Sequence, residues 1–400
     1  LVKVSGLLLL PVYLHLMDQE EFGLHGYFIA IVNYSATLLN GGFYLIQSKL
    51  YFESPIEKRG QVLFSIHLLL VALMLVVLVP VLGFNFDVVL INKTFTHSIN
   101  YPLFRPAIII GVFTTSYGLM VTQFYLVSGF IKKLQAFNIL RSLVPHAIAI
   151  LLLFRLTNSN GAFLRIAGTY YTECCLLMIF AGVVFNHFDY KFNYKVARTT
   201  IKLVFPIALY TAFSMVIFMS DRFFIETYGT LKDLAIYNLA WTVAGIIPFI
   251  SNSAHNIWLP QLLAETDSKR KWSTAKSMSI KLIIGFTIIS IATLIMVKAL
   301  LYFSIINQKY EKVIPVLPLV LFGSALLSFF QLTFNYLLSI TKSHILVAIG
   351  FCVALVSIYL GKSLVLRWGV YGAALSMVIS NLLLLLPSLF FSYYSHKKAI

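Results

Sequence analysis

Charged side chains are scarce. Asp, Glu, Lys and Arg make up 11% of the 400 residues, against roughly 25% in soluble globular proteins, and no stretch is polar enough to form a separate water-soluble domain. Acid is scarcer than base: fourteen Asp and Glu face thirty Lys and Arg, a formal net charge of +16. Only three cysteines occur, Cys174, Cys175 and Cys352, all inside apolar runs, so they read as small packing residues without disulfide or metal-ligand spacing. No GxxxxGK[ST] loop is present, which excludes a P-loop ATPase engine within the chain. Long polar connections are missing too. The longest are 85–103, 186–199 and 263–279, short for a membrane glycan polymerase or ligase, in which a long outer loop would carry catalytic groups. Apolar residues fill the space instead: AVILMFWYC account for 60% of the chain, and its mean hydropathy is +0.89. The expectation is a membrane protein that is not an enzyme and whose membrane domain holds the function.

Crossing a hydrocarbon layer of roughly 30 Å takes about 20 apolar residues per helix. By that ruler the candidate spans are 1–16, 25–47, 61–84, 104–130, 136–156, 163–185, 200–224, 234–262, 280–303, 313–340, 345–366 and 368–391. Lys3 ahead of the first run suggests a signal peptide, but Pro11 inside it and the lack of a small-x-small cleavage site favour a shortened spanning helix. With the N-terminus cytoplasmic, eighteen of the thirty cations fall on the cytoplasmic side and six on the outer side, the bias that orients membrane proteins. Both termini are then cytoplasmic, and the net charge calls for no nucleic-acid partner.

The turn Glu21-Phe22-Gly23-Leu24 between spans one and two resembles Asp233-Leu234-Ala235-Ile236 between spans seven and eight. An acid just before a helix also suits the positive end of the helix dipole, so duplication and shared capping both account for the likeness. Duplication implies two parallel six-helix halves rocking about a central site. Polar residues recur on single helix faces: Asn33, Thr37, Asn40, Tyr44 and Gln47; Asn138, Arg141, Ser142 and His146; Asn238, Trp241, Gly245, Asn252, His255 and Asn256; Ser324, Ser328, Gln331 and Asn335. Such stripes are either helix–helix glue or the wall of a water-filled cavity.

Six cations lie within or at the edges of spans. Arg141 and Lys298 are the deepest by position, and Glu173 is the one carboxylate near a span centre. Asp221-Arg222 reads as an interhelical clamp or a substrate contact. Arg105, Arg155 and Arg165 are expected to snorkel to the interface, and His67 to be a packing histidine. Cation excess in the spans points to an anionic substrate.

The chain resembles the polysaccharide-biosynthesis flippases (O-antigen or Wzx type) of the multidrug/oligosaccharidyl-lipid/polysaccharide exporter superfamily. The resemblance rests on Pro11 followed by Glu20-Glu21-Phe22-Gly23-Leu24; Asn40-Gly41-Gly42-Phe43; Asp221-Arg222-Phe223-Phe224-Ile225 with Ala235-Ile236-Tyr237; Trp258-Leu259-Pro260; and Gly369-Val370-Tyr371-Gly372-Ala373-Ala374, in family order along the chain. It implies an all-α polytopic membrane protein with about twelve transmembrane helices in two six-helix bundles, here residues 1–190 and 191–400, around a central cationic cavity. It further implies movement of undecaprenyl-diphosphate-linked oligosaccharide from the cytoplasmic to the outer leaflet of the bacterial inner membrane by alternating access. Under that resemblance the candidates are Arg141, Arg222 and Lys298 for the headgroup phosphate, Asn33, Asn40, Asn252 and His255 for sugar hydroxyls, and Glu173 and Asp221 for ion coupling, with no metal site. No cofactor is implied beyond a coupling H+ or Na+; a polysaccharide polymerase and a chain-length regulator would be partners. A multidrug exporter or a lipid II flippase of the same superfamily is the alternative.

Overall fold

A backbone amide left without a partner in hydrocarbon costs several kcal/mol, so a chain this apolar satisfies its amides inside helices. The computed structural model describes residues 6, 8–97, 99–156, 160–254, 268–339 and 343–398, and among them helix is the only regular structure. The principal helices are α1 (Leu10–Leu16), α2 (Gln19–Asn40), α3 (Phe43–Glu53), α4 (Arg59–Phe84), α5 (Phe86–Thr94), α6 (Tyr101–Val127), α7 (Ile131–Arg155), α8 (Gly161–Phe185), α9 (Tyr194–Tyr228), α10 (Leu231–Ala244), α11 (Ser268–Tyr302), α12 (Val313–Ser339) and α13 (Ser343–Lys398).

Among the described residues ten helical stretches are long and apolar enough to cross a membrane. The difference from the twelve expected has two causes. α13 carries two of the expected spans, 345–366 and 368–391, joined at Gly369, whose φ of 54° and ψ of −131° are not helical. The described part of the first expected span is chiefly the seven-residue α1. Outward faces are apolar: Ile280, Ile283, Ile284, Ile288, Ile291 and Ile295 of α11 are each about half or more exposed. On a water-soluble protein such a stripe would be an aggregation site; facing acyl chains it costs nothing.

Two compact units form, one from residues 1–9 and 16–215 and the other from 10–15 and 216–400. The division falls inside α9. In the first unit Leu39, Phe43, Ile46 and Leu50 of α2 and α3 pack with Val62, Ile66, Leu70 and Met74 of α4, Met120 of α6 and Val204 of α9. The interruption between α2 and α3 is made by consecutive left-handed residues, Gly41 (φ 53°) and Gly42 (φ 92°). A Cβ on Gly42 would stand 2.6 Å from Ile207 Cγ2 on α9, so the break also lets two backbones approach.

The related turn motifs turn out to perform the same local task. Glu21 Oε2 accepts the Asp18 N–H at 3.3 Å. At the start of α10, Asp233 Oδ2 accepts the Thr230 N–H at 3.1 Å while Thr230 Oγ1 accepts the Asp233 N–H at 3.1 Å. Each acid is the third residue of its helix and reaches back to the residue that caps it.

Candidate functional site

In the first unit, α6, α7 and α8 bring together Arg141 and Glu173. Arg141 Nε lies 3.4 Å from Glu173 Oε1, with the side chains 18% and 11% exposed, and Arg141 Nη2 lies 3.4 Å from Glu173 Oε2. Two parallel contacts make the pair bidentate, but both are longer than the roughly 2.7–2.9 Å of a tight charge-assisted bond. Room for the guanidinium comes from α6, where a Cβ on Gly118 would stand 3.2 Å from Arg141 Nη1. The Phe137 ring, one turn earlier on α7, lies 6.0 Å from Arg141 Cζ. Two residues assigned separately from sequence, one to phosphate and one to ion coupling, are thus partners of each other.

The polar stripe of α2 and α3 divides. Asn33 and Thr37 are exposed. Asn40 is fully buried; its Nδ2 donates to Ser116 O at 3.0 Å and its Oδ1 accepts the Tyr44 N–H at 3.3 Å. Gln47 Nε2 donates to Met120 O at 3.3 Å. Asn40 and Gln47, seven residues apart, therefore read two α6 carbonyls four apart and fasten the broken span to α6. Asn40 is occupied by packing, which departs from the sugar contact expected of it.

In the second unit, Asp221 and Arg222 are 3% and 2% exposed. Asp221 Oδ2 accepts the Tyr237 hydroxyl at 2.9 Å. Arg222 Cζ lies 4.6 Å from the Trp241 ring and 5.4 Å from the Tyr237 ring, and its Nη1 donates to Phe218 O at 3.2 Å. Neighbours on one helix point about 100° apart, and here both still meet α10, because Tyr237 and Trp241 are one turn apart. The clamp is built from a phenol and two ring faces.

Lys298 stands four residues before the end of α11 and is exposed. It continues the exposed face bearing Ile288, Ile291 and Ile295. Asn252 is half-buried, and His255 lies outside the described residues. Arg105 is more than a snorkelling cation: its Nε is 2.8 Å from Asp87 Oδ2, its Nη2 is 3.1 Å from Asp87 Oδ1, and Tyr101 adds its hydroxyl to Oδ2 at 3.0 Å. His67 packs as expected, its Nδ1 2.8 Å from the Tyr117 hydroxyl. Cys174, Cys175 and Cys352 are free thiols, and no group of three or more metal-ligating side chains occurs among the described residues.

No family profile and no curated sequence matches the chain. Solved structures do. One titled as the lipid II flippase MurJ in an inward closed conformation superposes with a TM-score of 0.74 at 16% identity, over 98% of this chain and 85% of that one. A multidrug resistance MATE family transporter of the MOP superfamily, inward-facing, matches with a TM-score of 0.71 at 13% identity, over 99% of this chain and 98% of that one. An outward-facing structure of a transporter so titled gives 0.65 at 14% identity, over 99% and 93%. This chain has the MurJ/MATE fold.

Within that fold, two basic side chains escaped the sequence reading. Arg165, expected at the interface, is 7% exposed, and His25 is 3% exposed. Neither exposure is visible in a linear pattern, because each depends on α2 and α8 starting side by side. Glu21 Oε1 accepts the Gly161 N–H at 2.7 Å and so fixes that register. The MurJ/MATE fold is shared by a protein titled as a lipid flippase and by proteins titled as multidrug transporters, so the choice among substrates depends on the side chains of this chain.

Proposed function

We propose that this protein is a flippase that carries the diphosphate headgroup of a lipid-linked oligosaccharide across the bilayer, of the O-antigen or capsule type, by alternating access with H+ or Na+ coupling. The observation that carries the reading is the Arg141–Glu173 pair. A carboxylate and a phosphate compete for one guanidinium, and a long, partly exposed ion pair is one that a better anion can open. Neutralising Glu173 with a proton or a bound cation releases Arg141 to the phosphate; phosphate on Arg141 in turn favours neutral Glu173. Coupling and substrate recognition then share one pair of side chains. Asn33 and Asn252, which keep exposed or half-buried amides, serve the sugar hydroxyls, whose transfer through hydrocarbon would otherwise cost several kcal/mol per unpaired group. Asp221 and Arg222 hold α9 to α10 and act on the substrate only through that framework.

The test is flipping of a labelled undecaprenyl-diphosphate-linked oligosaccharide in reconstituted vesicles. Arg141→Ala is expected to stop it with insertion intact. Glu173→Gln, which fixes the carboxyl as neutral, is expected to flip without pH or sodium dependence. Equal flipping of lipid II would move the assignment to the lipid II class. Export of a cationic dye undisturbed by Arg141→Ala would overturn the anionic-headgroup reading.

A further inference from the structure

After α4 the chain does not pass directly into the next span but first forms the short helix α5 and a connection to α6. Two anchors hold this segment. At one end Asp87 of α5 is bound by Arg105 and Tyr101 of α6, and Arg105 Nη2 also donates to Val81 O of α4 at 2.6 Å. At the other, the Phe95 ring meets Tyr27 edge-on at 4.9 Å between centroids and stacks on Phe28 at 5.9 Å, with planes 23° apart. The anchored segment frames a recess of about 490 Å³, a size typical of small-molecule sites, which run to about 300–1,000 Å³.

Ile91, Phe95 and Ile99 supply the apolar lining of the recess, and Asn92 and Asn100 line it with them. Both asparagines are exposed, and among the described residues neither side chain makes a hydrogen bond. For Asn100 the reason is local. It stands at the capping position of α6, where an asparagine side chain ordinarily accepts the N–H of the second or third helical residue. The second is Pro102, which has no N–H, and the third, Leu103, donates instead to the Asn100 carbonyl at 3.1 Å. The Asn100 amide is therefore spare. Thr96 and His97, whose Oγ1 and Nδ1 are 3.4 Å apart, have interactions of their own, and the site does not call on them. Among the described residues that line the recess, none is Asp, Glu, Lys or Arg.

We propose that this recess is a carbohydrate-binding site that takes a neutral sugar of the transported glycan, an inference that rests on the lipid-linked oligosaccharide reading above. Each amide offers two donors and an acceptor, the complement of neighbouring hydroxyls that donate and accept together. Ile91, Phe95 and Ile99 cover the C–H face of a sugar ring. A lining without fixed charge gives a phosphate no counter-ion, and an acyl chain laid over the two amides would take them out of water unpaired. With the N-terminus cytoplasmic, the connection between spans 61–84 and 104–130 lies on the outer face. The site thus meets the glycan where it emerges and disfavours its return.

The probe is the oligosaccharide freed from its lipid diphosphate by mild acid, titrated calorimetrically against the full chain in detergent. Binding is expected, weakened about two- to tenfold by Asn92→Ala or by Asn100→Ala and lost in the double variant. Both positions are exposed, so the double variant is expected to keep its melting temperature. Undiminished binding in the double variant, or no binding by the unaltered protein, overturns the site, while flipping of the lipid-linked oligosaccharide in vesicles still decides the transport reading. Equal binding of the per-O-methylated oligosaccharide, which has lost its hydroxyl donors, also overturns it. Glycan binding that depends on both asparagines, in a protein that flips no lipid-linked oligosaccharide, keeps the site and overturns the transport reading.

Discussion

At the scale of single residues, charge inside the spans is arranged in partnerships that a linear pattern does not disclose. Arg141 and Glu173 stand 32 positions apart and meet because α7 and α8 pack side by side. Removing one partner leaves the other charge largely buried and unpaired, which for this partly exposed pair is expected to cost about 1–2 kcal/mol. Removing both leaves no orphan. Arg141→Ala and Glu173→Ala should therefore each lower the melting temperature in detergent, and the double variant should recover most of that loss while still failing to flip substrate. Additive losses in the double variant would show that the two side chains do not form a coupled pair. The sequence disclosed that Arg141 and Glu173 lie deep, since depth follows from distance along a span. It did not disclose that Arg165 is buried or that Lys298 is exposed, because burial depends on which way a side chain faces and on what packs against it.

At the scale of elements, the sequence marked the boundary near Gly369, between the expected spans 345–366 and 368–391, but not the break at Gly41 and Gly42, which lies inside the expected span 25–47. Asn40-Gly41-Gly42-Phe43 breaks a span with two left-handed residues, and Asn40 then fastens the break to α6. In Gly369-Val370-Tyr371-Gly372-Ala373-Ala374, Gly369 kinks α13 with its non-helical φ of 54°, and a Cβ on Gly372 would collide with the Leu364 carbonyl. Ala373 and Ala374 are fully buried behind it. These motifs are demanded by backbone geometry and carry no information about substrate. Gly42→Ala forces a side chain into a φ of 92° and against Ile207 Cγ2, with an expected cost of about 2 kcal/mol or more. Gly83→Ala, where nothing lies within 4 Å of the new Cβ, is the neutral comparison in the same melting experiment. Thr230→Ala removes the hydroxyl that accepts the Asp233 N–H and should cost about 1 kcal/mol; no loss would mean that this cap adds nothing to α10.

At the scale of the whole molecule, the sign of the transported charge separates the readings that share this fold. The proposed cargo is an anion, and a headgroup of about two negative charges moving outward gains roughly 4.6 kcal/mol per 100 mV of inside-negative potential if the charges cross the full field. A single proton travelling with it would halve that gain and leave its sign unchanged. A monovalent cationic drug moving outward loses about 2.3 kcal/mol per 100 mV under the same potential. Reconstituted protein should therefore flip the lipid-linked oligosaccharide faster when a potassium gradient with valinomycin sets the vesicle interior negative, and slower when the gradient is reversed. Arg141→Ala should abolish flipping under either polarity, since the potential acts only on charge that the protein admits. Flipping that accelerates with an inside-positive potential would identify a cationic cargo, and with it a multidrug exporter in place of a glycolipid flippase.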